Sequence, residues 1–510
     1  MSMTPAIWPR LPGEPALTRR SFAVLGAATL AAVSANAERP STSASPTAAA
    51  LLADCDLVQR ACEALHPGLH RYNTPSQMRQ HFDTLREEFV ASASSGDWQA
   101  RSYLALARLT AAVRCGHTYA NFYNQSDAVR RSLFEGANRI PCEFRWLDGR
   151  MVVTRDLSVE QRLPLGTQIV GISGVPTREL LQRLMALTRA DGSNDAKRIA
   201  LLEVRGLERY ETFDILLALT TAALSPAMSL DIVSADGLPR QVTVAPLSDE
   251  QRLAARRVAV DDARAGWRFE RLDSKVTVLS MPDWALYRSR WDWKKFIGEC
   301  FEKLTAAPPR ALVLDLRGNE GGLDVGDEIL PYLTAEPIEV ASPPRLVRYR
   351  DVPSDLEPYL DTWDPSFRHW GPDARRVDDR FFSLKGDDGP GGRARILPRK
   401  PRFAGRVFVL IGPDNSSATF QFAERARASG LATLVGRTTG GNQRGINGGA
   451  FFFLRLPACG LEVDVPLIAR FAPGNPPDAG LAPDVEVRTT FESLVDSEDL
   501  EMAAVHRLLA

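Results

Sequence analysis

The stretch Ala311-Leu312-Val313-Leu314-Asp315-Leu316-Arg317-Gly318-Asn319-Glu320-Gly321-Gly322 decides the fold. Residues 311–316 are almost wholly apolar, as a strand buried on both faces of a parallel sheet must be. The run ends in a Gly-rich turn, where the missing Cβ lets backbone amides come close to a ligand. That turn lacks the Gly-x-x-x-x-Gly-Lys phosphate loop and any dinucleotide-binding spacing, so a nucleotide reading is weak. Taken alone, it is an ordinary strand-to-loop junction.

Outward from this stretch, strands and helices alternate from Trp267 onward, the pattern of an α/β domain. Residues 276–281, 407–411 and 432–435 read as strands, 294–304 as a helix, and 417–429 as a helix with Gly430 as its C-cap. Residues 340–402 are rich in Pro, Asp and Arg without periodicity, which predicts an insertion over the site or a mobile loop. Further upstream, Leu51, Cys55, Val58 and Cys62 repeat at helical spacing, as do Leu106, Leu109 and Val113. Breaks at His66-Pro67-Gly68 and Ser94-Ser95-Gly96 divide this helical segment, which ends near Cys115-Gly116-His117-Thr118. Between the two, residues 143–154 form a hairpin signal around Asp148-Gly149, and residues 229–244 another around Asp236-Gly237. The strand pair at 166–174 followed by a helix over 180–187 resembles the carboxylate-binding half of a PDZ domain, with a plain αβ spacer as the alternative.

The first forty residues read as a targeting segment. Thr18-Arg19-Arg20-Ser21-Phe22, an uncharged run from Ala23 and then Ala35-Asn36-Ala37 resemble a bacterial twin-arginine export signal. No Cys follows the run and no later stretch is long and apolar enough to span a bilayer, so a soluble periplasmic mature chain is expected. The formal net charge of −1 argues against nucleic acid or an anionic membrane as main partner. The six cysteines show no metal spacing. Cys55 and Cys62, seven apart on a helix, would stand about 10 Å apart, beyond disulfide reach.

Three positions bear chemistry. Ser417 follows Gly412-Pro413-Asp414-Asn415-Ser416, a strand-to-helix turn that sets its hydroxyl at a helix N-terminus, where free N–H groups can hold an oxyanion. The plain alternative is that Asn415 or Ser416 simply caps the helix. The second position is the Gly-rich turn at 315–322. The third is His117, beside Gly116 in the break that ends the helical segment, where a polar cap is the plain alternative.

Together these segments resemble peptidase family S41, the tail-specific or C-terminal processing peptidases, over roughly residues 100–490. "DLRGNEGG" at 315–322, "NSSATFQFA" at 415–423 with "GLATLVGRTTGGN" at 430–442, and "GLAPDVEV" at 480–487 match the family's signatures in order. The resemblance implies Ser417 as nucleophile, with the N–H groups of Ala418 and Gly321 as oxyanion donors. One branch of the family uses a downstream Lys as base. Here that position is Asn442, no Lys follows Lys400, and Arg444 stays protonated, so a dyad requires an upstream Lys to fold in. The other, tricorn-like branch uses a His within Asp-Gly-His-Thr, which Cys115-Gly116-His117-Thr118 matches except for Cys, and so implies His117 as base. The family's usual acidic partner falls here on Pro477. Asp478 is the candidate third member, with Glu462 and Asp464 in reserve.

The expected architecture is therefore multidomain α/β. It comprises a signal peptide at 1–37, a linker at 38–48, a helical domain at 49–135, a PDZ-like segment at 136–250 and an α/β core at 265–510 of the ClpP/crotonase-like kind. The expected function is an exported serine peptidase acting on peptides or proteins, recognised through their C-termini, without metal or organic cofactor. The alternatives are a non-catalytic binding protein on the same fold and a serine hydrolase of non-peptide esters.

Overall fold

The computed structural model describes residues 45–221, 227–234, 236–257, 266–385 and 392–510, and the expected export signal lies outside them. The apolar run of the opening stretch becomes the strand Ala311–Asp315, in the middle of a six-stranded sheet between Val276–Ser280 and Arg406–Ile411. Thr433–Gly436 and Val485–Glu486 extend the sheet in parallel, and Arg268–Arg271 closes the other edge antiparallel. Successive side chains leave a strand on opposite faces. Leu312, Leu314, Val409 and Ile411 pack under the helices Trp293–Ala306, Val325–Leu333 and Ser417–Ala428. Val313, Phe408 and Leu410 face the C-terminal helix Leu500–Leu509. Helices on both faces explain a run with no polar alternate positions, each buried Val or Leu contributing roughly 1.5–3 kcal/mol.

Ala311–Asp315 and Arg406–Ile411 run in register, with Asp315 opposite Leu410. Both chains therefore leave the sheet side by side at their carboxyl ends, where open α/β sheets form their sites. The Gly-rich turn and the turn before Ser417 are the two loops that meet there.

A second sheet is built on a long hairpin, Gly445–Arg455 with Glu462–Phe471. Residues 340–402 contribute to it: Leu360–Asp361 adds on one side, and Leu346–Val347, Phe382–Leu384 and Ala374–Arg376 on the other. The insertion is thus largely tied down, by strands too short to leave a periodic signal. A third, antiparallel sheet runs in the order Cys142–Leu147, Arg150–Asp156, Gln168–Ile172, Met228–Val233, Pro239–Val244. Its first hairpin turns through Asp148 at φ 51° and Gly149 at φ 76°, the left-handed pair that a two-residue turn requires.

Three helices, Ala48–Leu65, Pro75–Ser92 and Trp98–Val113, form the N-terminal segment. Thr74 and Gln77 start the second with a reciprocal capping box. These helices have no separate core. Leu51, Val58, Phe82 and Leu106 belong to one continuous cluster with Phe452, Leu454 and Val463 of the long hairpin, Phe144 of the antiparallel sheet and Leu184 of the helix Thr177–Met185. Asp54 reinforces the junction, accepting N–H bonds from Ala458 (3.1 Å) and Cys459 (2.8 Å) at the hairpin's turn. All six cysteines are buried and free. Among the described residues no helix is long and apolar enough to cross a membrane.

Candidate active site

Ser417 is half-buried, opens the helix Ser417–Ala428, and has φ +52°. A left-handed backbone at a residue with a Cβ costs roughly 1–2 kcal/mol and persists where surroundings impose it. Asn415 does much of the imposing. Its Nδ2 donates to the carbonyls of Leu316 (2.6 Å) and Asn319 (3.0 Å), its Oδ1 accepts from Gly412 N–H, and its own carbonyl accepts from Gly440 and Gly441. Ser416, the N-cap residue, makes no side-chain cap bond, and its Oγ donates instead to the Glu320 carbonyl at 3.0 Å. Neither residue caps the helix by its side chain, because both are turned onto the Gly-rich loop. The positive end of the helix is thus left directed at Ser417 without a side-chain cap.

The Gly-rich turn lies against this serine. A Cβ on Gly321, at φ +107°, would fall 2.7 Å from Ser417 Cβ and 3.0 Å from Ala418 N. A Cβ on Gly322 would fall 2.2 Å from the Trp284 carbonyl. Both positions exclude any side chain. The N–H of Gly321, expected as an oxyanion donor, donates here to Asn319 Oδ1 at 2.9 Å. Asn319, wholly buried, also takes Thr419 Oγ1 at 2.9 Å and gives its Nδ2 to the Met281 carbonyl. The Ala418 N–H stands beside the turn.

His117 follows the helix Trp98–Val113, which ends in a left-handed Arg114. Thr118 is anchored by His66, whose Nε2 lies 2.8 Å from Thr118 Oγ1 while its Nδ1 accepts Gly68 N–H. The His117 ring packs near Gly448 of the long hairpin and 6.0 Å from the Phe451 ring. Burial lowers its pKa, opposed chiefly by the charge of Asp191. An imidazole kept neutral can accept a proton. Its Nδ1 is buried without a hydrogen-bond partner, and among the described residues no hydrogen bond joins His117 to Ser417.

A chain of charges links the His117 loop to the serine. Glu320, between Asn319 and Gly321, takes Lys197 Nζ at 2.8 Å and Arg189 Nη2 at 3.1 Å. Arg189 also donates to the Gly116 carbonyl (2.8 Å) and lies over the Tyr119 ring. Lys197, buried, donates in addition to the Asp414 carbonyl at 3.0 Å, and Asp414 holds Arg205 through two 2.8 Å bonds. Burial pushes the Glu320 carboxyl up, but Lys197 and Arg189 outweigh it and hold the group at about 2. An upstream lysine thus does fold in beside the nucleophile turn, as a cation paired to Glu320.

The expected third members make the following bonds. Asp478 accepts Ser193 N–H (3.0 Å), Ser193 Oγ (2.9 Å) and Asn442 Nδ2 (2.7 Å), and none of its bonds runs to His117. Asp464 accepts the Asn121 and Asn124 amides, and Glu462 meets Gln125 through its backbone. The carboxylate beside His117 is Asp191, almost wholly buried, whose Oδ1 accepts Gly116 N–H at 2.8 Å.

Residues 275–487 match the model of peptidase family S41. The chain carries an S41 peptidase domain. By that family it is a serine-type peptidase, a hydrolase. The S41 domain contains Ser417, Gly321 and Asp478, whereas His117, Asp191 and Lys197 precede the matched residues. No curated protein matches the chain. Among solved structures, mature CPAF complexed with lactacystin is similar with a TM-score of 0.58 and 12% identity, covering 90% of this chain and 97% of that one. Mature CPAF alone gives 0.54 and 13%, covering 88% and 94%. At such identity the likeness is one of fold. The photosystem II D1 C-terminal processing protease gives 0.36 and 14%, covering 89% and 98%.

The residues that sequence reading missed, Asp191, Arg189, Lys197 and Glu320, are charged residues of unremarkable local context. The one available signal was Glu320, a carboxylate inside a Gly-rich turn otherwise built for close backbone approach.

Proposed function

We propose that the chain cleaves peptide bonds through an acyl-enzyme, with Ser417 as nucleophile and His117 as general base. His117 takes the Ser417 hydroxyl proton as Oγ bonds to the scissile carbonyl carbon. It then returns the proton to the leaving amine as the C–N bond breaks, and water releases the acyl group by the same route. Ala418 N–H and the 319–322 turn receive the oxyanion, which requires the Gly321 amide to exchange Asn319 Oδ1 for substrate. Asp191, rather than Asp478, is the carboxylate set to stabilise the imidazolium. The His117–Ser417 bond closes with substrate, since catalytic hydrogen bonds are commonly loose in apo enzymes.

The observation that carries this reading is the strained Ser417 at a helix start without a side-chain cap, with Gly321 packed on its Cβ and Arg189 bridging to the His117 loop. Export by the twin-arginine signal to the periplasm belongs to the same proposal. So does recognition of a substrate C-terminus by the PDZ-like segment, whose exposed edge strand Pro239–Val244 is open to strand addition.

A serine-directed fluorophosphonate probe tests the chemistry. Labelling is expected in the wild type, with loss in Ser417→Ala and a large fall in His117→Ala. A folded wild type that does not label would favour a non-catalytic binding protein, and turnover of simple esters but not peptides would favour an esterase. Lys197 supports a second reading, as the base of a Ser-Lys pair. Its Nζ is engaged by the Glu320 carboxylate and the Asp414 carbonyl rather than turned to Ser417, so His117 is preferred. Full labelling in His117→Ala together with none in Lys197→Met would reverse the assignment.

A further inference from the structure

Away from Ser417, a cavity of about 180 Å3 opens between the N-terminal helices, the insertion and the end of the long hairpin. Arg71, Arg348 and Arg380 line it together with His70, Phe381 and Phe471. Arg348 and Arg380 both stack on Phe381, at 5.7 and 5.3 Å, and Arg71 on Phe471 at 4.4 Å, so aromatic faces hold the guanidinium groups in place. Among the described residues none of the three has a carboxylate within ion-pair distance. Arg71 spends its donors on the carbonyls of Gly445, Ile446 and Arg470, and Arg348 donates to the Glu63 carbonyl. Burial, and after it the charge of Arg380, lowers the Arg348 pKa, against the pull of the Asp378 carboxylate. The nearest acids are already engaged: Glu63 takes the Gln59 amide, and Asp378 takes the backbone N–H groups of Arg380 and Phe381.

Arginines that converge on one cavity without a direct ion pair, with Asp378 acting on Arg348 and Arg380 only at a distance, leave donors there for an anion. The cavity also shares its walls with the catalytic loops. His66 lines it and bonds Thr118, beside His117, while Arg71 holds the start of the strand in which a Cβ on Gly448 would lie 3.8 Å from the His117 ring.

We propose that this cavity is a subsite for a carboxylate of the peptide substrate, held by Arg348 and Arg380 with Arg71 behind them. Calling the ligand a substrate rests on the peptidase reading above; the binding itself does not.

The test uses fluorescein-labelled short peptides, one Glu-rich and one with Gln in place of Glu, each with a free or an amidated C-terminus. Binding is measured by anisotropy to the Ser417→Ala chain, so that no turnover intervenes. The Glu-rich or the free-acid peptide is expected to bind about fivefold tighter or more, less so at high salt. Arg348→Gln/Arg380→Gln is expected to abolish that preference. Preference for Glu whatever the terminus marks a side-chain carboxylate, and preference for the free acid marks the C-terminus. Equal binding of all four peptides, or a preference that survives the double substitution, overturns the proposal. In the Ser417-intact enzyme the same pair of substitutions should raise KM for the preferred peptide and leave kcat on the neutral one unchanged. Charge-selective binding without any Ser417-dependent labelling would sink the peptidase reading and leave the subsite standing.

Discussion

Ser417 carries a backbone cost that glycine would not feel. With φ at +52°, Ser417→Gly is expected to stabilise the fold by about 1 kcal/mol while abolishing acylation. Ser417→Ala keeps a Cβ in the same conformation and should be nearly neutral in stability. Urea unfolding of the two variants checks the difference, and equal midpoints would show that the turn is not strained. Gly321→Ala should act the other way, since its methyl would meet Ser417 Cβ at 2.7 Å and force the turn away from the serine. His117 was open to sequence reading because it breaks a helical pattern beside a glycine. Asp191 was not, since what matters is its approach to Gly116, which folding alone creates. Burial lowers the His117 pKa, so the base should stay competent below the usual 6.5 of a histidine. The acid limb of kcat/KM is accordingly expected under that pH, and a limb at or above it would argue against this histidine.

Elements divide by how they are buried. The strands Ala311–Asp315 and Arg406–Ile411 could be read directly, because burial on both faces leaves an apolar run that few other structures need. The pieces Leu346–Val347 and Leu360–Asp361 could not, because each is short and exists by pairing with the long hairpin. The same holds for the charges joining elements. Lys197, from the helix Asp195–Leu201, meets Glu320 across a separation of 123 residues, which local pattern does not encode. That contact sets the pitch of the Gly-rich turn, since Glu320 is tied by its side chain to Lys197 and Arg189 and by its carbonyl to Ser416. Glu320→Gln should therefore lower kcat by roughly tenfold to a hundredfold with little change in KM, as small misplacements at a reacting centre do. Single-turnover acylation separates this from a folding defect, and a change confined to KM would place Glu320 in substrate binding.

At the scale of the whole molecule, the N-terminal helices and the long hairpin share one core, and His66 is the polar rivet in it. Its Nδ1 accepts Gly68 N–H, so its Nε2 must carry the proton offered to Thr118, and the ring is held neutral. Burial takes its pKa from the usual 6.5 to about 3. The stability this contributes is complete above pH 6.5 and is lost as pH falls toward 3, about 2 kcal/mol of it by pH 5. Asp464 runs the opposite way. Burial raises it to about 7, so the fold bears a buried carboxylate above that pH and gains stability as pH falls toward 3.8. The net slope of the wild type mixes both, and differences between variants separate them. His66→Gln, whatever its baseline loss, should lose less stability than wild type between pH 7.5 and 5. Asp464→Asn should lose more over the same interval. Thermal or urea denaturation at the two pH values measures both. Parallel slopes for wild type and His66→Gln would mean that the ring is not locked neutral at the junction that presents Thr118, and with it His117, to the serine.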